Sequence, residues 1–366
     1  MSLAPGSCLV VALFGPELTA EEARFLRDVH PAGVILFARN LVRIDQVQNL
    51  IRAIRDTAAP PPTLWLDQEG GRVQRLRHPL TAYPSPGRLA EIEREDPARA
   101  ATLARQAGWL NGRELVTLGV GINCAPVLDI REPGADPVIG ERAFGWHPEQ
   151  VVRLANAWLA GFTAAGGVAV GKHFPGHGAA RADSHKALPR VEKELSALEQ
   201  WELSPFRQLL TQLPMLMTAH LVATGIDAEQ PATWSASLLR DLLRRQWGYS
   251  GLVVSDALEM GALSGPLDQR AEWAIQAGCD LVLCCTGRLD DSILTLTGVE
   301  RALRAPEVAR TTIDMQQRIE RILAPARCEP GDLGTLFADL EYRYWRQELE
   351  ALAAAPAAPD PTAPNH

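Results

Sequence analysis

Eight short apolar runs, each followed by a longer stretch with helical spacing, constrain this chain more than any other feature. The runs are Cys8–Phe14, Val34–Phe37, Thr63–Leu66, Gly121–Val127, Val168–His173, Met215–Ala219, Leu252–Ser255 and Leu281–Cys285. Runs this short and this rich in β-branched and apolar residues read as buried strands. Between them, apolar residues recur at helical intervals near Ala20–His30, Ile44–Thr57, Pro97–Leu118, Pro148–Ala165, Ser196–Leu213, Ser237–Trp247 and Gln269–Ala277. Strands joined through helices lie parallel, because the helix is the crossover. Eight such units predict an α/β fold, a single closed (β/α)8 TIM barrel, rather than an open doubly wound sheet. An open sheet would gather its ligand at one switch point, and no GxGxxG motif stands at a strand-to-helix turn to mark one. A barrel collects its chemistry where strands end. Asp67, Asp129, His173, His220 and Asp256 all lie at or just beyond the ends of such runs.

Roughly 80 of the 366 residues follow the last run, with helical spacing near Thr311–Leu323 and Ala338–Leu352. That is short for a second domain, so residues 1–352 are expected to form one barrel domain with C-terminal helices. The remaining segment, 353–366, reads AAAPAAPDPTAPNH; it cannot bury a core, and a disordered Ala/Pro tail is expected. The net charge of −8 repels phosphate backbones and anionic headgroups, which argues against nucleic acid and membrane surfaces as partners. No apolar run approaches the ~18 residues of a membrane helix. The first residues, MSLAPGS, lack the basic start of a secretory leader. A cytoplasmic monomer is expected. Six cysteines without a CxxC pair suggest reduced, buried thiols rather than a disulfide framework or a thiolate metal site.

Four segments carry chemistry. KHFPGHGAARADSH, from Lys172 to His185, holds three of the eight histidines within fourteen residues at a strand end. A metal loop built on His173, His177, Asp183 and His185 is one reading, but no thiolate cluster or HExxH spacing accompanies it, and no metal is expected. Asp183 and His185 stand two apart, so in an extended segment both side chains leave on one side. That lets a carboxylate orient one imidazole nitrogen while the other faces a substrate. In GLVVSDALEM, Asp256 ends a buried strand and faces the barrel mouth, as a nucleophile on an electrophilic carbon or as a cap on the following helix. In LWLDQEGGRVQRLR, Asp67 neighbours Arg72 and Arg75, a set that can grip sugar hydroxyls or an anion, or pair internally. GINCAPVLDI and IGERAF place Asp129 near a strand end and Arg142 in a long loop, where an isolated arginine is more often structural.

Taken in order, GVILFARN (Gly33–Asn40), DQEGGRVQRL (Asp67–Leu76), INCAPVLDI (Ile122–Ile130), KHFPGHG…DSH (Lys172–His185), MTAHL (Met217–Leu221) and SDALEM (Ser255–Met260) resemble the family 3 glycoside hydrolases of the bacterial β-N-acetylglucosaminidase type. The resemblance runs from about Gly33 to Cys285. It implies a single (β/α)8 barrel and retaining removal of terminal, non-reducing β-linked N-acetylglucosamine, with no cofactor. On the matching positions it makes Asp256 the nucleophile, His185 the general acid/base and Asp183 the partner of that histidine. Asp67, Arg75, Arg142, Lys172 and His173 match sugar-binding positions. The implied substrates are N-acetylglucosamine-containing muropeptides, above all 1,6-anhydromuramyl peptides of cell-wall recycling, or chito-oligosaccharides. Ala257 departs from the second Asp found in many members, and the tail has no counterpart. A phosphorylase or broader hexosaminidase of the same family, a metal-dependent hydrolase and a sugar-binding barrel without turnover are the competing readings. Substrate-assisted hexosaminidases use an acidic pair such as Asp-Glu, and this chain contains no Asp-Glu dipeptide.

Overall fold

The computed structural model describes residues 3–132, 134–180 and 188–355. Eight strands close into a barrel: β1 (Leu9–Ala12), β2 (Gly33–Leu36), β3 (Thr63–Leu66), β4 (Ile122–Asn123), β5 (Val168–Phe174), β6 (Met215–Thr218), β7 (Leu252–Ala257) and β8 (Leu281–Cys284). Each pairs in parallel with its sequence neighbours, and Leu9 opposite Val282 joins β1 to β8. Nearly every strand residue is buried, because one face packs inside the barrel and the other meets helices.

The helices start and stop where their residues dictate. Thr19 accepts from the Glu22 backbone N–H while Glu22 reaches back to Thr19, a reciprocal cap on Ala20–Val29. Asp96 caps Pro97–Leu118, and Gly119 ends it with φ +88. That helix lies against Pro148–Ala164 at close range because Gly108 and Gly161 face across the contact. A Cβ on Gly108 would sit 2.0 Å from the Trp158 carbonyl oxygen, and one on Gly161 2.0 Å from that of Arg105. The C-terminal helix Leu340–Ala354 packs on the same Pro97–Leu118 helix, with Trp345 edge-on to Trp109 at 4.9 Å and the buried Tyr342 hydroxyl donating to Glu114.

Three expectations need correction. The run Gly121–Val127 contributes only the short ladder of β4 plus one bridge between Val127 and Lys172. Pro126 has no N–H to offer the ladder there. The stretch expected to be one helix over Ser196–Leu213 is two, Leu195–Gln200 and Ser204–Gln208, broken before Pro205. At the other end, Ala353 and Ala354, placed in the tail, continue the last helix: alanine is the strongest helix former, and the buried Leu349 anchors that helix on the core. Among the described residues no helix is long and apolar enough to cross a membrane. All six cysteines are free thiols, five of them buried.

Candidate active site

At the C-terminal mouth of the barrel lies a cavity of about 620 Å3 whose polar lining includes Asp67, Glu69, Arg142, Lys172, His173 and Asp256. These side chains come from the end of β3, the hairpin after it, the loop after β4, and strands β5 and β7. Only barrel closure brings such distant segments together. Arg75 lines the same cavity, so all the expected sugar-binding positions converge here with Asp256. Asp183 and His185 lie outside the described residues.

One wall is a network of ions. Lys172, with only 3% of its side chain exposed, sits 2.8 Å from Asp67 Oδ1 and 2.7 Å from Glu69 Oε1. Arg142 grips Glu69 with two nitrogens, Nε at 2.8 Å and Nη2 at 2.9 Å. Arg75 Nη2 lies 3.2 Å from Asp67 Oδ2. Burial by itself would push both carboxyls up, but Lys172 and Arg75 beside Asp67, and Lys172 and Arg142 beside Glu69, outweigh it and hold both below the usual range. Burial likewise disfavours the charges on Lys172 and Arg142, yet the carboxylates more than restore them and raise both pKa values. All four groups are therefore ionised at neutral pH.

The second element is built on Asp129, 1% exposed. It accepts from His173 Nδ1 at 2.6 Å, from the His173 backbone N–H, and from the His177 backbone N–H at 2.7 Å. The carboxylate fixes a proton on Nδ1, and Nε2 is turned toward Arg142 Nη2 at 3.5 Å. Burial opposes the charge on Asp129, but His173 and the donated hydrogen bonds prevail and its pKa falls. Burial also pushes the His177 imidazole down.

The third element is the end of β7. Asp256 Oδ1 accepts from the Ala257 backbone N–H at 2.8 Å. The Ala257 carbonyl in turn takes a hydrogen bond from His220 Nε2 at 2.9 Å, while His220 Nδ1 meets Thr233 Oγ1 at 2.7 Å. His220 is fully buried and its pKa is lowered by that burial, so it is a neutral clamp on the peptide that follows Asp256. Arg270 secures the next turn through the Leu258 and Met260 carbonyls. Asp256 is thus held by its strand and its neighbour's amide; it does not cap the next helix, which begins at Leu267 after Pro266.

Sequence reasoning missed Glu69 and gave no role to Asp129 or His220. Glu69 was open to the argument used for Asp183 and His185: two residues after Asp67, it leaves an extended segment on the same side. The roles of Asp129 and His220 depend on partners in other strands, which spacing does not reveal. Among the described residues no group of three His, Cys, Asp or Glu side chains is placed to hold a metal ion.

The chain has known counterparts. The family description "Glycosyl hydrolase family 3 N terminal domain" matches residues 8–324. A beta-hexosaminidase of Alkalilimnicola ehrlichii is 47% identical over 280 residues, 76% of this chain and 80% of that protein. One from Pseudomonas aeruginosa is 38% identical over 352 residues, 96% of this chain and 98% of its own length. Among solved structures, native NagZ from Neisseria gonorrhoeae superposes with a TM-score of 0.84 at 32% identity, covering 97% of this chain and 100% of that one. The same protein has been solved in complex with N-trifluoroacetyl-D-glucosamine. With that family match and those relatives, the chain belongs to glycosyl hydrolase family 3 and, within it, to the NagZ-type β-N-acetylhexosaminidases.

Proposed function

We propose that this hydrolase is a retaining exo-β-N-acetylglucosaminidase in which Asp256 is the nucleophile, His185 the general acid/base and Asp183 the partner of His185. One observation carries the reading: Asp256 shares a single cavity with Asp67, Arg75, Arg142, Lys172 and His173, the positions the family resemblance assigns to the sugar. In the first step a carboxylate oxygen of Asp256 attacks C1 while the bond from C1 to the leaving oxygen breaks, and His185 gives that oxygen its proton. In the second, His185 takes a proton from water, the water oxygen bonds to C1, and Asp256 leaves as a carboxylate. Asp183 stabilises the imidazolium before the first transfer. Asp67, Arg75, Arg142, Lys172 and His173 hold the sugar hydroxyls.

The proposed substrate is N-acetylglucosaminyl-1,6-anhydromuramyl peptide, cleaved in the cytoplasm by a monomer during peptidoglycan recycling. Hydrolysis is favoured over phosphorolysis because Lys172 and Arg142, the cations that would draw a phosphate dianion, are both committed to carboxylates. Digestion of that muropeptide in millimolar phosphate tests the proposal. Free N-acetylglucosamine and the anhydromuramyl peptide are the expected products. Dominant N-acetylglucosamine 1-phosphate would make the enzyme a phosphorylase, and no cleavage of muropeptide beside ready cleavage of chito-oligosaccharides would remove the recycling role.

A further inference from the structure

The buried carboxylate of Glu69 does something that holding a neutral sugar does not require. Its side chain is 1% exposed, and both of its oxygens are taken by cations: Oε1 by Lys172 at 2.7 Å and Arg142 Nη2 at 2.9 Å, Oε2 by Arg142 Nε at 2.8 Å. The chain turns sharply just after it. Gly70 has φ +106, and a Cβ there would lie 2.4 Å from the Pro84 carbonyl oxygen, so the hairpin that presents Glu69 is closed against the wall behind it. Glu69 thus stands at a fixed point between the two cations.

Among the described residues, the charges of the network and the proposed nucleophile balance. Arg75, Arg142 and Lys172 stand against Asp67, Glu69 and Asp256. At the rim, Arg72 binds the Pro137 and Val138 carbonyls and Glu259, pushed up by burial, faces the same cavity. Among the described residues, an arriving anion therefore finds no cation of the network without a carboxylate partner. To bind Arg142 it must displace Glu69 from both of the nitrogens that face it, and it would then face Asp67 and Glu69 together. Hydroxyl groups meet no such penalty, because they can donate to the carboxylates and accept from the remaining N–H groups.

We propose that Glu69 sets the charge preference of the terminal-sugar site: by taking up Lys172 and Arg142 it reserves the pocket for a neutral sugar and turns away sugars bearing a carboxylate or phosphate. Glu69 is a positioning and specificity-determining residue that acts through the two cations. The inference rests on the reading of this cavity as the sugar site.

Titration calorimetry with N-acetylglucosamine and N-acetylglucosamine 6-phosphate tests it. The wild-type protein binds the neutral sugar in preference. Glu69→Gln keeps the shape, removes one negative charge and should shift the ratio of the two affinities toward the phosphate by about tenfold or more, as one unit charge a few ångströms away in a partly desolvated site requires. The double variant Glu69→Gln with Arg142→Gln restores neutrality, so its ratio should return toward wild type while both affinities fall. A purely structural role for Glu69 predicts weaker binding of both sugars with the ratio unchanged, and that result overturns the proposal. Should Glu69→Gln fail to fold, Arg142→Gln alone must move the ratio the other way, and an unmoved ratio is equally fatal. If the wild-type protein binds neither sugar, the sugar-site reading itself falls and takes this inference with it.

Discussion

Asp129→Asn isolates what the orientation of His173 contributes. The carboxylate serves three donors, with His173 Nδ1 at 2.6 Å and the His177 backbone N–H at 2.7 Å the shortest. Asparagine has one acceptor oxygen and one NH2 group in its place. If the NH2 faces Nδ1, the ring must carry its proton on Nε2, which then points a donor at Arg142 Nη2, 3.5 Å away. If the amide flips, the NH2 opposes the His177 backbone N–H instead. Either way one charge-assisted hydrogen bond is lost and a donor meets a donor. Such a bond is worth about 1.5–3 kcal/mol. Felt wholly at substrate binding and the transition state, that is about a 10- to 150-fold loss of kcat/KM on a chromogenic N-acetylglucosaminide. In a His173→Ala background the partner is gone, so adding Asp129→Asn should cost less than about threefold, the non-additivity expected of residues acting as a unit. A single variant within about twofold of wild type, well below the loss of one charged hydrogen bond, would refute this role.

Two further outcomes concern stability. Tyr342→Phe removes the hydroxyl that donates to Glu114 at 2.6 Å, while Thr81 and Tyr83 continue to donate to it. The cost should be about 1–2 kcal/mol, which lowers the Tm of a chain this long by about 1–3 °C; scanning calorimetry with no shift would show that the last helix docks without this contact. Asp67, Glu69 and Asp129 all have folded pKa values below their ordinary ones, so their stabilisation is complete above the ordinary range of 3.8 to 4.5 and is lost as the pH falls through the lower folded values. Glu114, pushed up by burial, works in the opposite sense and gains from protonation. The Tm should therefore fall on acidification below that range, more gently in Asp67→Asn, and an identical acid limb in that variant would contradict the assignment.

Much of this was legible because it is periodic or local. The eight runs mark the eight strands, since a fully buried parallel strand reads as an uninterrupted apolar segment. Asp67 and Asp256 declared themselves by closing such runs. What stayed hidden depends on chain closure. Nothing in INCAPVLDI says that Asp129 will serve a histidine 44 residues on, and His220 acquires its role only when β6 and β7 lie side by side. Arg142 read as structural in isolation; the fold pairs it with Glu69 across 73 residues and sets both in the wall of the cavity. The pairing of Asp67 with Arg75, left open between gripping a sugar and internal partnership, is present as an ion pair at 3.2 Å with both side chains still lining the cavity. The errors came from proline, which ended the β4 ladder early and split one expected helix, and from alanine, which carried the last helix past its expected end.

If Asp256 is the nucleophile, it becomes covalently attached to the sugar during turnover. Incubation with a 5-fluoro N-acetylglucosaminyl inactivator, followed by proteolysis and mass spectrometry, tests it most directly. Time-dependent inactivation and one fluorosugar mass on the peptide that contains Asp256 are expected, with no labelling of Asp256→Ala. A label on any other residue, or an Asp256→Ala variant that retains near wild-type turnover, would contradict it.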